Sequence, residues 1–132
     1  MVLALDVGTA VIGLARTDPS RRIVFAEGTL VRRSVAKDAE ALAAVCARHG
    51  VTQLVVGLPL TPDGGEARMA KLARQVGDAL GARTGLPVAF VDERYSSAEA
   101  RLRAIEAGRP SRKVDPEAAM VILEDWLEEH PG

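Results

Sequence analysis

Apolar residues in this chain form two kinds of pattern, short uninterrupted runs and longer stretches in which they recur at helical spacing. The runs predict strands at Val2–Val7, Ile12–Thr17, Ile23–Val31, Gln53–Gly57 and Val88–Val91. The first two runs are joined through Gly8 and Thr9, so they are predicted to pair as a hairpin. Asp18-Pro19-Ser20 supplies the turn before the third strand.

The stretches with helical spacing alternate with the later strands. They predict helices over Ser34–Arg48, ended by Gly50, and over Ala67–Ala82. Ser96-Ser97-Ala98-Glu99 fits a capping box that opens a helix through Ala107, and Asp115-Pro116-Glu117 opens the last helix. Its inward stripe is Ala119, Ile122, Leu123, Trp126 and Leu127. Strands that first meander and then alternate with helices predict an α/β protein with a mixed sheet and helices on both faces.

Domain organisation follows from length and composition. The chain has 132 residues, of which 48% are hydrophobic, and it shows no repeat, linker or low-complexity tract. We therefore expect a single domain over residues 1–132, too short for a two-lobed enzyme. The segment Leu58–Gly65 contains two prolines and two glycines, so it is predicted to be an irregular loop. It follows the carboxyl end of a predicted strand, where α/β proteins usually place a binding site.

Charge and cysteine content mainly exclude properties and do not by themselves indicate a function. The formal net charge is -1, so there is no overall electrostatic attraction to nucleic acid. The single cysteine, Cys46, cannot form an internal disulfide, and its place beside Leu42 and Val45 predicts a core position. The apolar start has neither the pattern of a signal peptide nor the length of a membrane span, so we expect a cytoplasmic protein with no membrane partner.

An acidic residue, Asp6, lies inside the first apolar strand, just before the Gly8-Thr9 turn. Burying an ionised carboxylate is costly unless another group pairs with it, and a metal ion or a phosphate would explain its position. The alternative is that Asp6 ends the strand and caps the turn, a common role for aspartate. The strand pattern alone is compatible with both explanations.

Two further acidic segments stand at the ends of predicted elements. Asp92-Glu93-Arg94 follows the last strand, and Asp115 precedes the last helix. Hydrolysis of a phosphodiester with two divalent cations uses carboxylates of this kind, because hard cations prefer oxygen ligands. Structural explanations are equally available: Asp115 before Pro116 is a good N-cap, and Asp92 and Glu93 are compatible with solvated positions beside Arg94.

Four blocks of the sequence carry a resemblance to a known family: LALDVGTAVIGLA, VVGLPLTPDGGEARMA, VDERYSSAEA and KVDPEAAMVILEDWL. In order and spacing they resemble the YqgF or RuvX family of bacterial proteins, which is related to RuvC-type nucleases within the ribonuclease H-like superfamily. The resemblance covers essentially the whole chain. It implies a ribonuclease H-like fold, with a five-stranded mixed sheet flanked by helices. It also implies catalytic metal ligands at Asp6, Glu93 and Asp115, which would hold Mg²⁺ or Mn²⁺ in a two-metal site.

The resemblance further implies a substrate and the residues that contact it. Members of the family are described as Holliday junction resolvases and as nucleases that mature the 5′ end of pre-16S rRNA. The expected partner is therefore branched DNA, precursor rRNA or both. Gly8 and Thr9 would let a nucleic-acid backbone approach closely, and Arg94, Arg112 and Lys113 would contact its phosphates. Symmetric cutting of a four-way junction would need a homodimer, whereas trimming one RNA strand needs only a monomer.

One residue departs from the family pattern, and two other functions stay open. Val11 stands where the family commonly has a basic residue before Ile-Gly, so substrate affinity or preference is expected to differ. The Asp-x-Gly-Thr opening also resembles the phosphate-binding hairpin of actin-like ATPases and sugar kinases, although these close two such domains around a nucleotide. The other alternative is a non-catalytic nucleic-acid-binding or ribosome-assembly factor that keeps the fold without turnover.

Overall fold

Strands and helices alternate along the described part of the chain, which in this computed structural model comprises residues 1–59, 68–92 and 116–130. The strands are β1 (Val2–Val7), β2 (Val11–Thr17), β3 (Val24–Val31), β4 (Gln53–Leu58) and β5 (Val88–Asp92). The helices are α1 (Val35–His49), α2 (Arg68–Thr84) and α3 (Pro116–Glu129).

All five strands belong to one sheet, in the order β3-β2-β1-β4-β5. The first three strands form an antiparallel meander, with β1 paired to β2 and β2 paired to β3. The strands β4 and β5 join this meander in parallel, β4 beside β1 and β5 beside β4. The five-stranded mixed sheet predicted for this chain is therefore confirmed.

The two faces of the sheet are covered by different helices. Leu3, Leu5 and Val7 of β1 belong to a core with residues of α1 and α2, such as Leu42 and Leu80. The alternate positions of the same strand pack with α3, in a second core that comprises Val2, Ala4, Ala15, Val55, Ala119, Ile122, Leu123 and Trp126. Because successive side chains of a strand point to opposite faces, the face of every residue in β1 is known: the odd-numbered residues face α1 and α2, and the even-numbered residues face α3.

Helix α1 shows how local sequence signals set an element. The hydroxyl of Ser34 accepts the backbone N–H of Lys37 at 3.2 Å, and Gly50 ends the helix in a left-handed conformation with φ 67°. Cys46 is buried in the α1 core as predicted, and burial raises the pKa of its thiol.

Element ends differ by a few residues from the sequence-based prediction. Strand β3 begins at Val24, because Ile23 is part of the preceding turn, and α2 continues to Thr84. Leu58, predicted to begin an irregular loop, is instead the last residue of β4, where it pairs with Asp92. The rest of that loop, up to the start of α2, and the helix predicted at residues 96–107 lie outside the described residues.

Candidate active site at the carboxyl edge of the sheet

The carboxyl ends of β1, β4 and β5 lie at one edge of the sheet, because these three strands run parallel. We call this the carboxyl edge. Asp6 is the next-to-last residue of β1, and Asp92 is the last residue of β5. Two strands that are second neighbours lie about 10 Å apart, so the two backbones are within reach of a shared ligand cluster.

The carboxylate of Asp6 is buried on the face of the sheet that α3 covers. Asp6 is 3% exposed, and its position in β1 alternates with Leu5 and Val7, which face α1 and α2. An aspartate that only caps a turn is expected to be exposed to solvent, so the burial of Asp6 argues against that explanation. Carboxylate oxygen is also the donor that Mg²⁺ and Mn²⁺ prefer, so the residue fits the proposed ions.

Glycines lie on both sides of Asp6, a feature that the sequence analysis did not identify. Gly13 of β2 is directly opposite Asp6, and the parallel register that joins Leu5 to Val56 continues to place Gly57 of β4 on the other side. At the level of the carboxylate, the neighbouring strands therefore contribute no Cβ atom. The signal was present in the sequence as a glycine inside a predicted strand, which often marks close approach of a ligand or a backbone.

Neither glycine is explained by backbone conformation. Gly28, Gly50 and Gly85 have positive φ angles, whereas Gly13 and Gly57 do not. The irregularity in the β2–β3 pairing begins after Leu14, and Gly13 itself is in regular register with Thr29. Glycine in the interior of a strand is unfavourable compared with larger residues, so some other requirement keeps these two positions small.

Asp92 faces the opposite side of the sheet from Asp6. Its alternate neighbours Val88 and Phe90 pack against the core of α1 and α2, while Ala89 and Val91 pack against the core of α3. The end of β5 thus brings Asp92 to the same edge as Asp6 but to the other face. The alternation of β5 does not support Asp92 as a partner of Asp6 in binding one ion.

The turn that follows Asp6 lies at the carboxyl edge. The backbone N–H of Gly8 donates to the carbonyl of Val11 at 2.9 Å and closes the turn between β1 and β2. Gly8 is buried and Thr9 is exposed, so Thr9 is accessible to a ligand at this edge. Val11 pairs with Val31 of β3, which is 70% exposed, and this apolar pair occupies the place of the basic residue expected from the family pattern.

Several predicted site residues cannot be placed against Asp6. Glu93, Arg94, Arg112, Lys113 and Asp115 lie outside the described residues, so their roles stay predictions. Within residues 1–59, 68–92 and 116–130, no group of three or more His, Cys, Asp and Glu side chains is arranged to hold a metal ion. In that same part of the chain, no helix is long and apolar enough to cross a membrane.

Solved structures with the same architecture define the class of fold. The chain is similar to RuvC of Thermus thermophilus, with a TM-score of 0.61 at 12% sequence identity, over 98% of this chain and 95% of that one. A second structure, T. thermophilus RuvC in complex with Holliday junction substrate, gives a TM-score of 0.58 at 18% identity with the same coverage. The sheet that carries Asp6 thus belongs to a ribonuclease H-like fold.

Within that class, the chain belongs to the RuvX family, because the family model described as "RuvX: Holliday junction resolvase" matches residues 1–129. A relative from Anaeromyxobacter sp. (strain K), named "Putative pre-16S rRNA nuclease", is 47% identical over 130 residues, covering 96% of this chain and 95% of the relative. A protein of the same name from Cupriavidus necator is 40% identical, covering 98% and 89%. The family and the relatives' names support nuclease or resolvase activity.

Proposed function

We propose that this protein is a divalent-metal-dependent endonuclease that hydrolyses phosphodiester bonds of nucleic acid, with Asp6, Glu93 and Asp115 as its metal ligands. The observation that carries the proposal is the buried carboxylate of Asp6 at the carboxyl edge, with Gly13 and Gly57 on either side. A carboxylate is the oxygen ligand that hard divalent cations prefer, and glycine on both neighbouring strands leaves room beside Asp6 for an ion and its other ligands.

The chemistry of the proposed site divides between ion and protein. Mg²⁺ or Mn²⁺ bound there would supply activation of a water for in-line attack and stabilisation of the 3′ leaving oxygen. Asp6 would hold its carboxylate oxygens in a fixed direction, because it lies in a strand that is hydrogen-bonded on both sides. Glu93 and Asp115 would complete the ligand set. Asp92 lies on the face of the sheet opposite to Asp6, which supports Glu93, and not Asp92, as the metal ligand of Asp92-Glu93-Arg94.

The proposed substrates follow from the relatives. The RuvX family is described as Holliday junction resolvase, and the curated relatives are named for pre-16S rRNA. We propose that the protein cuts a four-way DNA junction, the 5′ extension of a pre-16S rRNA, or both. Gly8 and Thr9 would lie against the substrate backbone, while Arg94, Arg112 and Lys113 would bind its phosphates.

Cleavage assays with two labelled substrates test the proposal. A four-way DNA junction and a 5′-extended pre-16S rRNA are each incubated with Mg²⁺ or Mn²⁺ and with wild type, Asp6→Asn or Asp92→Asn. We expect wild type to cut at least one substrate and Asp6→Asn to lose about a hundredfold or more in rate, because a ligand charge is removed. Asp92→Asn is the matched control at the same edge but on the other face, and it is expected to retain activity.

Two results would contradict the proposal. If wild type cuts neither substrate with either ion, the nuclease proposal is wrong, and a non-catalytic nucleic-acid-binding or ribosome-assembly factor is favoured. If Asp6→Asn cuts as fast as wild type, Asp6 is not a metal ligand and its burial has a structural cause.

A further inference from the structure

Arg32 and Asp38 form a deeply buried ion pair at the start of α1. The Nε of Arg32 lies 2.9 Å from Oδ2 of Asp38, and the two side chains are 11% and 2% exposed. The other carboxylate oxygen, Oδ1, accepts the backbone N–H of Arg33 at 3.0 Å. Both oxygens of Asp38 are therefore in hydrogen bonds, as a buried charge requires.

The ion pair joins three separate segments of the chain. Arg32 lies in the connection between β3 and α1, and Asp38 lies in the first turn of α1. The backbone N–H of Arg32 donates to the carbonyl of Ala10 at 2.9 Å. Ala10 is the last residue of the turn between β1 and β2, so the pair connects α1 to this turn through the backbone of Arg32.

Stability alone gives little reason for such a pair. Replacing a buried ion pair with apolar residues of similar volume is often neutral or stabilising, so the geometry it imposes is the more informative property. The N-terminus of α1 is already capped by Ser34, which accepts the N–H of Lys37. The backbone N–H of Arg32 links the ion-paired connection to Ala10, and the turn at residues 8–10 starts two residues after Asp6.

We propose that Arg32 and Asp38 are positioning residues that hold the turn at residues 8–10 in place for binding the sugar-phosphate backbone of the nucleic acid beside Asp6. This inference rests on the proposed nuclease function. A turn that is ordered before binding loses less conformational entropy when the substrate arrives, so the pair acts on substrate affinity rather than on the chemical step.

Single substitutions of nearly equal size separate this role from a general structural one. Asp38→Asn and Arg32→Gln each break the ion pair, and we expect KM for the cleaved substrate to rise about tenfold in both, with kcat changed less than twofold. Arg32→Lys keeps the charge but lacks the planar guanidinium, so it is expected to restore KM only in part. Thermal unfolding is measured for every variant.

Glu27→Gln provides the matched control. It breaks a second part-buried ion pair, in which Nε of Arg16 lies 2.6 Å from Oε2 of Glu27. This pair joins β2 to β3, and Arg16 pairs with Leu3 near the amino end of β1, away from Asp6. We expect Glu27→Gln to lower the unfolding temperature while leaving KM unchanged.

The outcomes distinguish the positioning role from the proposed function. The inference is overturned if folded Asp38→Asn and Arg32→Gln keep the wild-type KM, or if Glu27→Gln raises KM as much as they do. If Asp38→Asn does not fold, Arg32→Gln and Arg32→Lys decide. If wild type cleaves neither substrate, the proposed function fails, and the dissociation constant of the labelled four-way junction replaces KM as the measurement of the positioning role.

Discussion

At the scale of single residues, Asp6 and Asp92 lie on opposite faces of the sheet and have different neighbours. Asp6 has glycine on each neighbouring strand and faces α3, whereas Asp92 follows Phe90 on the face of α1 and α2. Glycine at other described positions is explained differently. Gly77 and Gly81 of α2 allow the helix to pack closely, because a Cβ there would lie within 3 Å of Phe90 or Val88.

The two kinds of glycine predict opposite effects of substitution by alanine. Gly13→Ala and Gly57→Ala would place a methyl group beside Asp6 in extended backbone, where alanine is acceptable. We expect cleavage to fall at least about tenfold because access to the carboxylate narrows, with the unfolding temperature little changed. Both are measured for each variant.

Gly81→Ala supplies the contrast within the same chain. Its Cβ would lie 2.7 Å from Cγ2 of Val88, so we expect a loss of about 1–3 kcal/mol in the free energy of unfolding with cleavage retained. A large drop in stability for Gly13→Ala or Gly57→Ala, equal to that of Gly81→Ala, would show that these glycines serve helix packing instead of substrate access.

At the scale of elements, the turn before β3 is organised by one aspartate. Oδ1 of Asp18 accepts the backbone N–H groups of Arg22 and Ile23 at 2.8 and 2.9 Å, and its Oδ2 accepts the hydroxyl of Ser20. These hydrogen bonds, that of Ser20 first, lower the pKa of Asp18 from 3.8 to about 2. The turn holds Arg21 with a positive φ of 62°, an uncommon conformation for a residue other than glycine.

The lowered pKa predicts how acid affects this turn. A carboxylate whose pKa falls on folding contributes stability above its unfolded pKa of 3.8, and that contribution is lost as the pH falls to about 2. Asp18→Asn is therefore expected to unfold at a lower temperature than wild type at pH 7, with the difference shrinking between pH 4 and pH 2. Thermal unfolding by circular dichroism at several pH values measures it. A difference independent of pH would show that the carboxylate charge has no part in the turn.

At the scale of the whole molecule, the parallel pairing of β1, β4 and β5 gathers distant parts of the chain at one edge. Asp6 and Asp92 are 86 positions apart in the sequence, yet they lie at the carboxyl ends of second-neighbour strands. Edge strand β3 lies at the other side of the sheet, where Phe25 and Val31 are exposed. The proposed catalytic residue Asp6 thus lies at the carboxyl edge of the central strand β1, and the exposed apolar side chains of β3 lie on an outer strand of the sheet.

The number of chains in the active complex follows from the substrate. Symmetric cutting of a four-way junction needs two active sites, so we expect a homodimer with the junction bound if the protein is a resolvase. Light scattering coupled to gel filtration, with and without an uncut junction, measures this. A strict monomer in both conditions would favour single-strand trimming of the rRNA precursor as the activity.

Much of the fold could be predicted from local sequence. The sequence predicts every strand end to within one residue, because an apolar run carries its own signal, and the cap residues of α1 mark both of its ends. Leu58 is one of the positions where prediction and structure differ: the proline that follows it indicates a loop, but pairing with Asp92 keeps it in β4. Tertiary pairing outweighed the local signal at that position.

Among the described residues, the sequence by itself located the strands and helices to within one or two residues, and it placed an acidic side chain, Asp6, inside the first strand. Only the tertiary structure decided that Gly13 and Gly57 lie beside it, that Asp92 faces away from it, and that Arg32, whose backbone N–H donates to Ala10 of the following turn, pairs with Asp38. The physical reason is that capping and periodicity depend on neighbours within a few positions, whereas strand register and face are set by packing between segments far apart in the chain.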